Sequence, residues 1–268
     1  MKALSKNIHV SKVIDSVETA ELIASRTILH PDGFNGFLHY HDNAHFSFVL
    51  KGGCAEKKIS RYERRPGSIT WYPAGELHQI TAVKEPSYHV NFELPPVFFS
   101  SYDINASDIG EAIDHQPDVR SLMLKVYREL EHPDSDSILS LQQLLLNMVQ
   151  RSVQLLHAGQ PQWVKKIREY LQDEWNEAVD LALLSRVAGV HPVTISRYFP
   201  YYFSCTLGEY RRRLKINRAI KILLRSPEVN IAQLAFDCGF SDESHFIRVF
   251  RQHTNLLPAK LRRDIGKR

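Results

Sequence analysis

Four histidines in the N-terminal third have the type and spacing for ligand chemistry. His39, His41 and His45 stand two and four residues apart, and His78 follows beyond a turn-rich stretch. Alternate residues of a strand share one face, so the first three can point the same way, with His78 joining from another strand. Neutral imidazoles are good ligands for Zn, Fe, Ni or Cu, which makes a divalent metal ion one expected occupant. The other is a small effector, with the same histidines lining a metal-free pocket. Beyond that ion no cofactor is required, and no second catalytic constellation accompanies the cluster.

The elements that must position these residues read as short strands. Segments 46–50, 68–72 and 88–92 are aromatic and β-branched, and Gly52-Gly53, Pro66-Gly67, Pro73-Ala74-Gly75 and Pro95-Pro96 break them apart. Such spacing predicts a barrel or sandwich. After Pro96 the period becomes helical, with Val119, Leu122, Met123, Val126, Tyr127 and Leu130 at three- and four-residue steps. A second helix is expected from a cap at Asp134 or Ser135 to before Gly159. Its stripe of Ile138, Leu141, Leu145, Met148, Val149 and Leu156, widened by Leu144 and Leu146, suits either packing on the barrel or dimerisation. Residues 158–162, which contain Gly159 and Pro161, form the expected linker, and nearly everything from Trp163 onward looks helical.

Charge divides the chain at the same place. Residues 163–268 hold 19 Lys+Arg against 11 Asp+Glu, whereas residues 1–162 hold 15 against 19. A basic half joined to an acidic half fits one half meeting a polyanion. At 268 residues, 43% hydrophobic and 24% charged, the composition is that of a two-domain soluble protein. No apolar run approaches the ~20 residues of a membrane span, and the basic start leads into no signal core. Cys54, Cys205 and Cys238 are odd in number and widely spaced, which fits a reducing cytoplasm rather than a disulfide framework.

The basic half repeats itself. Gly189 and Gly239 are fifty residues apart, and aligning them pairs Leu184 with Leu234, Ser185 with Ala235, Ala188 with Cys238 and Val190 with Phe240. With one extra turn residue in the second copy, Ile195, Arg197 and Phe199 pair with Phe246, Arg248 and Phe250. This is the pattern of a helix-turn-helix. A small residue lets two short helices approach, a glycine takes the left-handed turn, and apolar residues build the core between them. Pro192 suits a first helical turn, and Ser241 or Asp242 can cap the second copy. One such unit is imitated by any compact helix pair; two in register point to DNA. The intervening segment 207–225 spans about 28 Å as a helix. That length could place two probes in successive major grooves, ~34 Å apart.

On these residues, segment 163–263 resembles the DNA-binding domain of the AraC/XylS family of bacterial regulators. The match includes both units, Arg213-Leu214, Arg218-Ala219 and Leu223-Leu224 between them, and the runs 231–242 and 244–251. It departs near the end, where Asn255 replaces a glycine and Leu261 a tyrosine; neither threatens the fold. The resemblance implies that helices 192–199 and 242–252 enter major grooves. Base-edge contacts then fall to Val193, Ser196 and Arg197 in the first and to Glu243, Ser244, Ile247 and Arg248 in the second. Arg can pair with guanine, Glu accepts from cytosine, and Val or Ile can touch a thymine methyl. Arg248 also admits a phosphate or an intradomain carboxylate as partner.

His39-x-His41-x₃-His45 and Gly67-x₅-Pro73-x-Gly75-x₂-His78 resemble the two cupin motifs, with His45 where cupins carry Glu. The expected fold is therefore two-domain: an N-terminal all-β cupin-like barrel followed by helices, then an all-α domain with two helix-turn-helix motifs. Its parts are an effector barrel at 1–105, a linker and dimerisation region at 106–160, and a DNA-binding domain at 163–264 with motifs at 181–201 and 231–252. The expected function is an effector-responsive regulator, activating by the family's habit. Its expected partners are a double-stranded DNA operator, a small-molecule effector, RNA polymerase and a second copy of the chain, with no membrane. The alternatives are a cupin enzyme fused to a DNA-binding domain, and a regulator indifferent to effectors.

Overall fold

Strand alternation organises the N-terminal half of the computed structural model, which describes residues 2–4, 10–32, 34, 36–113, 116–156 and 160–267. Ten strands are present among them: β1 (Lys2–Leu4), β2 (Lys12–Glu18), β3 (Ile23–Leu29), β4 (His39–His41), β5 (Ala44–Lys51), β6 (Cys54–Lys57), β7 (Arg61–Arg64), β8 (Ile69–Tyr72), β9 (Gln79–Val83) and β10 (Ser87–Leu94). They form a five-stranded sheet in the order β2-β3-β10-β5-β8, a three-stranded sheet β7-β6-β9 and a pair β1-β4. On β5, Phe46, Phe48 and Leu50 join an apolar core that extends into the helices, while His45 and Ser47 line an interior shared with Thr27, Glu56, Arg64 and His89. The sheets thus enclose a polar interior and turn their apolar face outward, onto helices.

Those helices are α1 (Pro96–Tyr102), α2 (Ala106–Ile113), α3 (Val119–Glu131) and α4 (Ser137–Leu156). The second long helix begins two residues later than Ser135, because Asp134 and Ser137 bond each other first. The Ser137 hydroxyl accepts from the Asp134 amide (2.8 Å), and the Asp134 carboxylate accepts from that of Asp136 (2.9 Å). The expected linker lies partly outside the described residues, since 157–159 are not described.

The basic half is α5 (Gln162–Asp173), α6 (Leu181–Ala188), α7 (Pro192–Phe203), α8 (Leu207–Arg225), α9 (Ile231–Asp237), α10 (Glu243–Thr254) and α11 (Pro258–Lys267). Helix α7 runs one turn beyond residue 199 and through Pro200. Proline removes one i→i−4 bond, and the Ser196 carbonyl that loses it belongs to an exposed residue, where water can replace the donor.

Two cores, not one, hold this half together. Val164, Ile167, Leu171, Leu184, Ile195, Phe199 and Phe203 form one, with Tyr210 and Leu214 from the start of α8. The remainder of α8, with α9, α10 and α11, shares a second core with α3, α4 and the strands. Helix α3 packs on β3 and β10 on one side and on α8 and α10 on the other. Polar ties fix that junction. Arg120 donates to Gly67 O (2.7 Å) and Asn217 Oδ1 (3.2 Å), Arg225 donates to Pro66 O (3.1 Å), and Arg128 donates to Asn255 O. Asp118 faces Arg213 at 3.4 Å. The structural seam therefore falls within α8, whereas the charge boundary falls near residue 160.

Phe199→Ala is expected to cost about 3–5 kcal/mol. Its loss of hydrogen-exchange protection should be confined to α5, α6, α7 and the first half of α8. The counterpart Phe250→Ala should spread into α3 and the strands. Equal spread in both variants would contradict the two-core division.

Candidate nucleic-acid interface and histidine cluster

Each helix-turn-helix is started by a side-chain cap. Asp180 accepts from the Leu183 amide (2.7 Å) and Asn230 from that of Gln233 (3.1 Å), fifty residues apart like the glycines. These caps extend the repeat beyond what apolar matching found; the signal was an Asx residue before each first helix. The turns agree as well. Gly189 and Gly239 have φ of 71° and 69°, a region costly for residues with a Cβ. The Ser185 hydroxyl bonds Val190 O at 2.7 Å across the first turn. Cys238, in Ala188's place, has its thiol pushed up to about 12 by burial and serves as a small apolar residue.

The second helices present opposite faces to core and solvent. On α7, Ile195, Phe199 and Phe203 are buried, while Val193, Ser196 and Arg197 are exposed. On α10, Phe246, Val249 and Phe250 are buried; Glu243, Ser244 and Arg248 are exposed and Ile247 is half-buried. All seven expected contact residues thus lie on accessible faces of equivalent helices. Val193 is 64% exposed, a position that packing within the chain does not explain. Among the described residues Arg197 and Arg248 have no carboxylate within ion-pair distance, so the intradomain alternative for Arg248 finds no partner. Of Ser241 and Asp242 the cap is Asp242, accepting from the His245 amide at 2.7 Å. Ser244, Ile247 and Arg248 line a groove together with Arg128 and Glu129 of α3, so the first domain borders the accessible face of α10.

The four histidines are all buried but do not share one strand. His39 and His41 lie on β4 and His45 on β5, beyond the Asp42-Asn43 turn. His78 pairs with His39 through two backbone bonds of 2.9 and 3.0 Å. His39, His41 and His78 offer ring nitrogens that all lie within 4.8 Å of one another. The ring of His45 lies 4.3 Å from that of His41 and stacks on Tyr72 at 4.3 Å. Ligand spacing therefore belongs to three of the four. His39 Nδ1 lies 3.0 Å from Phe37 O and His78 Nδ1 2.9 Å from Glu76 O. A carbonyl can only accept, so both rings carry the proton on Nδ1 and leave Nε2 as a lone pair. Burial lowers the pKa of His39 and takes that of His78 to about 4.

Around them lies a network that spacing along the chain does not reveal. Glu56, fully buried, accepts from the hydroxyls of Tyr62 and Tyr72 (2.7 Å each) and faces Arg64 at 3.6 Å. Arg64 donates to Ser47 Oγ at 2.7 Å, and Asn91 donates to Thr27 at 3.1 Å. The space left open is about 50 Å³, against roughly 300–1,000 Å³ for small-molecule pockets.

Comparison with known proteins agrees with the repeat. A family model described as a helix-turn-helix domain matches residues 184–264. The "Probable transcription factor PqrA" of Proteus vulgaris is 33% identical over 89 residues, which are 33% of this chain and 72% of that protein. The arabinose operon regulatory protein of Escherichia coli K12 is 23% identical over 262 residues, 91% of this chain and 89% of that one. A solved structure of ToxT from Vibrio cholerae aligns with 91% of this chain and 99% of its own, at 12% identity and a TM-score of 0.39. Among the described residues no helix is long and apolar enough to cross a membrane.

The Asp242 cap carries a pH signature. The His245 amide, and then the Ser241 hydroxyl, hold its carboxyl below the ordinary Asp range. A depressed folded-state pKa means stability that is complete above the unfolded value and is lost as pH falls through the folded one. Asp242→Ala should lower the thermal midpoint at neutral pH and leave a smaller difference from the parent protein at acid pH. A difference independent of pH would exclude the ionised cap.

Proposed function

The chain belongs to the AraC/XylS family of bacterial DNA-binding transcription regulators, and from that premise we propose that it activates transcription by reading an operator with α7 and α10. The observation that carries this reading is the duplicated exposure of Val193, Ser196 and Arg197 and of Glu243, Ser244 and Arg248, with Ile247 half-buried beside them, each set opposite a buried apolar face. Arg197 and Arg248 supply guanine-directed forks, Glu243 a cytosine acceptor and Val193 and Ile247 apolar contacts. A homodimer would present two such pairs to a repeated site, and RNA polymerase is the partner that activation requires. Sensing is assigned to the N-terminal half, whose α3 reaches α10 directly.

The histidine end of the barrel fits a divalent metal ion held by His39, His41 and His78. Three convergent imidazoles with two tautomers set by backbone carbonyls form a ligand set of suitable chemistry. The enclosed space favours an ion over a sugar-sized molecule. The ion would supply a fixed positive charge joining β4 to the His78 segment.

Selection of bound sites from random DNA should return a sequence-specific operator with repeated half-sites. Arg197→Ala should then relax preference at one position of each half-site, at a cost of roughly 1–3 kcal/mol. An equal loss on every sequence would make Arg197 a phosphate contact. Equilibration of the purified protein with Zn, Ni or Fe(II) should give one bound ion per chain, lost in His39→Ala and His78→Ala. Absence of stoichiometric uptake removes the metal assignment and leaves the DNA reading untouched.

A further inference from the structure

The accessible face of α7 continues beyond Arg197. Positions four apart on a helix lie about 40° from each other around the axis and ~6 Å apart along it. Val193, Arg197 and Tyr201 therefore form one slowly turning stripe, on the side away from the buried Ile195, Phe199 and Phe203. The helix runs on through Pro200, which keeps Tyr201 in that register. Tyr201 is 78% exposed, more even than Val193 at 64%.

So exposed a ring is nonetheless braced. It meets the ring of Tyr202 edge-on at 4.9 Å, and Tyr202 meets Trp163 of α5 edge-on at 5.5 Å. Both of those partners pack on the core of the first motif. Edge-to-face pairs at this spacing are favourable, so the Tyr201 side chain is held against the motif while most of it faces solvent.

The repeat supplies a second observation. The offset that pairs Arg197 with Arg248 pairs Tyr201 with Gln252. Gln252 is exposed too, and it lines the α3–α10 groove beside Arg248. Each motif thus has, one turn beyond its arginine, an accessible neutral side chain that carries a hydrogen-bond donor. Tyr198 does not repeat in this way. It is 45% exposed, whereas its counterpart Val249 is buried in the core shared with α3.

We propose that Tyr201 and Gln252 are DNA-backbone contacts, each donating a hydrogen bond to a phosphate beside its own helix. This rests on the operator reading of α7 and α10 and deepens it. The N-terminal residues of a recognition helix meet base edges, so a stripe leading toward the C-terminal end passes from bases to backbone. Tyrosine and glutamine are regular phosphate donors, and such contacts fix register rather than sequence. On α7 the donor has to be neutral, because the chain holds no lysine or arginine between Arg197 and Arg211. The two contacts hold the arginines at a set depth without adding to the salt dependence of binding.

The test measures binding of the full chain to selected operator DNA and to single-base variants of it, across sodium chloride concentrations. Tyr201→Phe keeps the ring and its contact with Tyr202 and removes only the hydroxyl. Gln252→Met keeps the side-chain length and removes the donor. Each is expected to weaken binding about fivefold, the worth of one hydrogen bond, and by the same factor on every sequence. The thermal midpoint of the free protein and the salt slope should not change. Tyr201→Lys, which puts a cation at the same phosphate, should regain the loss at low salt and steepen the salt slope by about one. Parent-like binding by either Tyr201→Phe or Gln252→Met overturns the proposal. Arg197→Ala is the control: if it still relaxes base preference, the operator reading stands and only this inference falls, whereas silence there removes both. A loss confined to one base pair would make the residue a base reader. Loss of activation with unchanged operator binding would make it a polymerase contact. Either result overturns the backbone assignment.

Discussion

Helix α3 has almost no solvent face. Val119, Leu122, Met123, Leu124, Val126, Tyr127 and Leu130 are all buried on a helix of 13 residues, a distribution that only contact on opposite sides can satisfy. Strands β3 and β10 take one side, and α8 and α10 the other. At roughly 1.5–3 kcal/mol per large apolar side chain, this burial amounts to something on the order of 10–20 kcal/mol before the entropy of ordering is subtracted. The hydrogen bonds of Arg120 and Arg128 contribute about 1 kcal/mol each. Apolar contact therefore holds the halves together, while the polar ties fix their orientation.

Sharing a core limits how the halves can move. The second helix-turn-helix and the N-terminal half cannot separate without exposing apolar surface, whereas the first packs on its own core and meets the rest through α8. Charge marks the same joint. Arg213 lies between Asp118 of the N-terminal half and Glu209, at 3.4 and 3.1 Å, and His253 near the end of α10 lies 3.8 Å from Glu209. Such partly buried pairs contribute direction more than stability. They give one relative placement of α3, α8 and α10 an advantage over neighbouring ones.

The barrel follows a different economy of space. Its interior is filled by hydrogen-bonded polar side chains rather than by apolar ones, with the Glu56–Arg64 pair at its centre. A buried ion pair is tolerated only where its remaining donors and acceptors are met, and Tyr62, Tyr72 and Ser47 meet most of them. That packing leaves little room beside the three converging histidines. Larger space occurs instead at the surfaces between elements, as in the groove of about 930 Å³ between α3 and α10.

The basic half was legible because its determinants are local. Helix period, Asx caps, Pro192 and the paired glycines act within a few residues, so aligning 181–199 with 231–250 located both motifs, and α8 has the bounds read for it. The accessible faces followed from the same period, since Ile195 and Phe199 bury the side opposite Ser196 and Arg197. The N-terminal strands were legible as strands, but the partners of their inward residues were not. Glu56 meets Tyr72 across strands, His39 meets His78 through a bridge, and His45 falls on a different strand from His41 because two residues suffice for a turn. Nor could the chain by itself reveal that Arg120 bonds Gly67 and Asn217, or that the second motif shares its core with the N-terminal half. Those relations join residues remote in sequence, whose encounter depends on sheet register and on how α3 is covered. Periodicity determines which face of an element is apolar; only the packed molecule decides what covers that face.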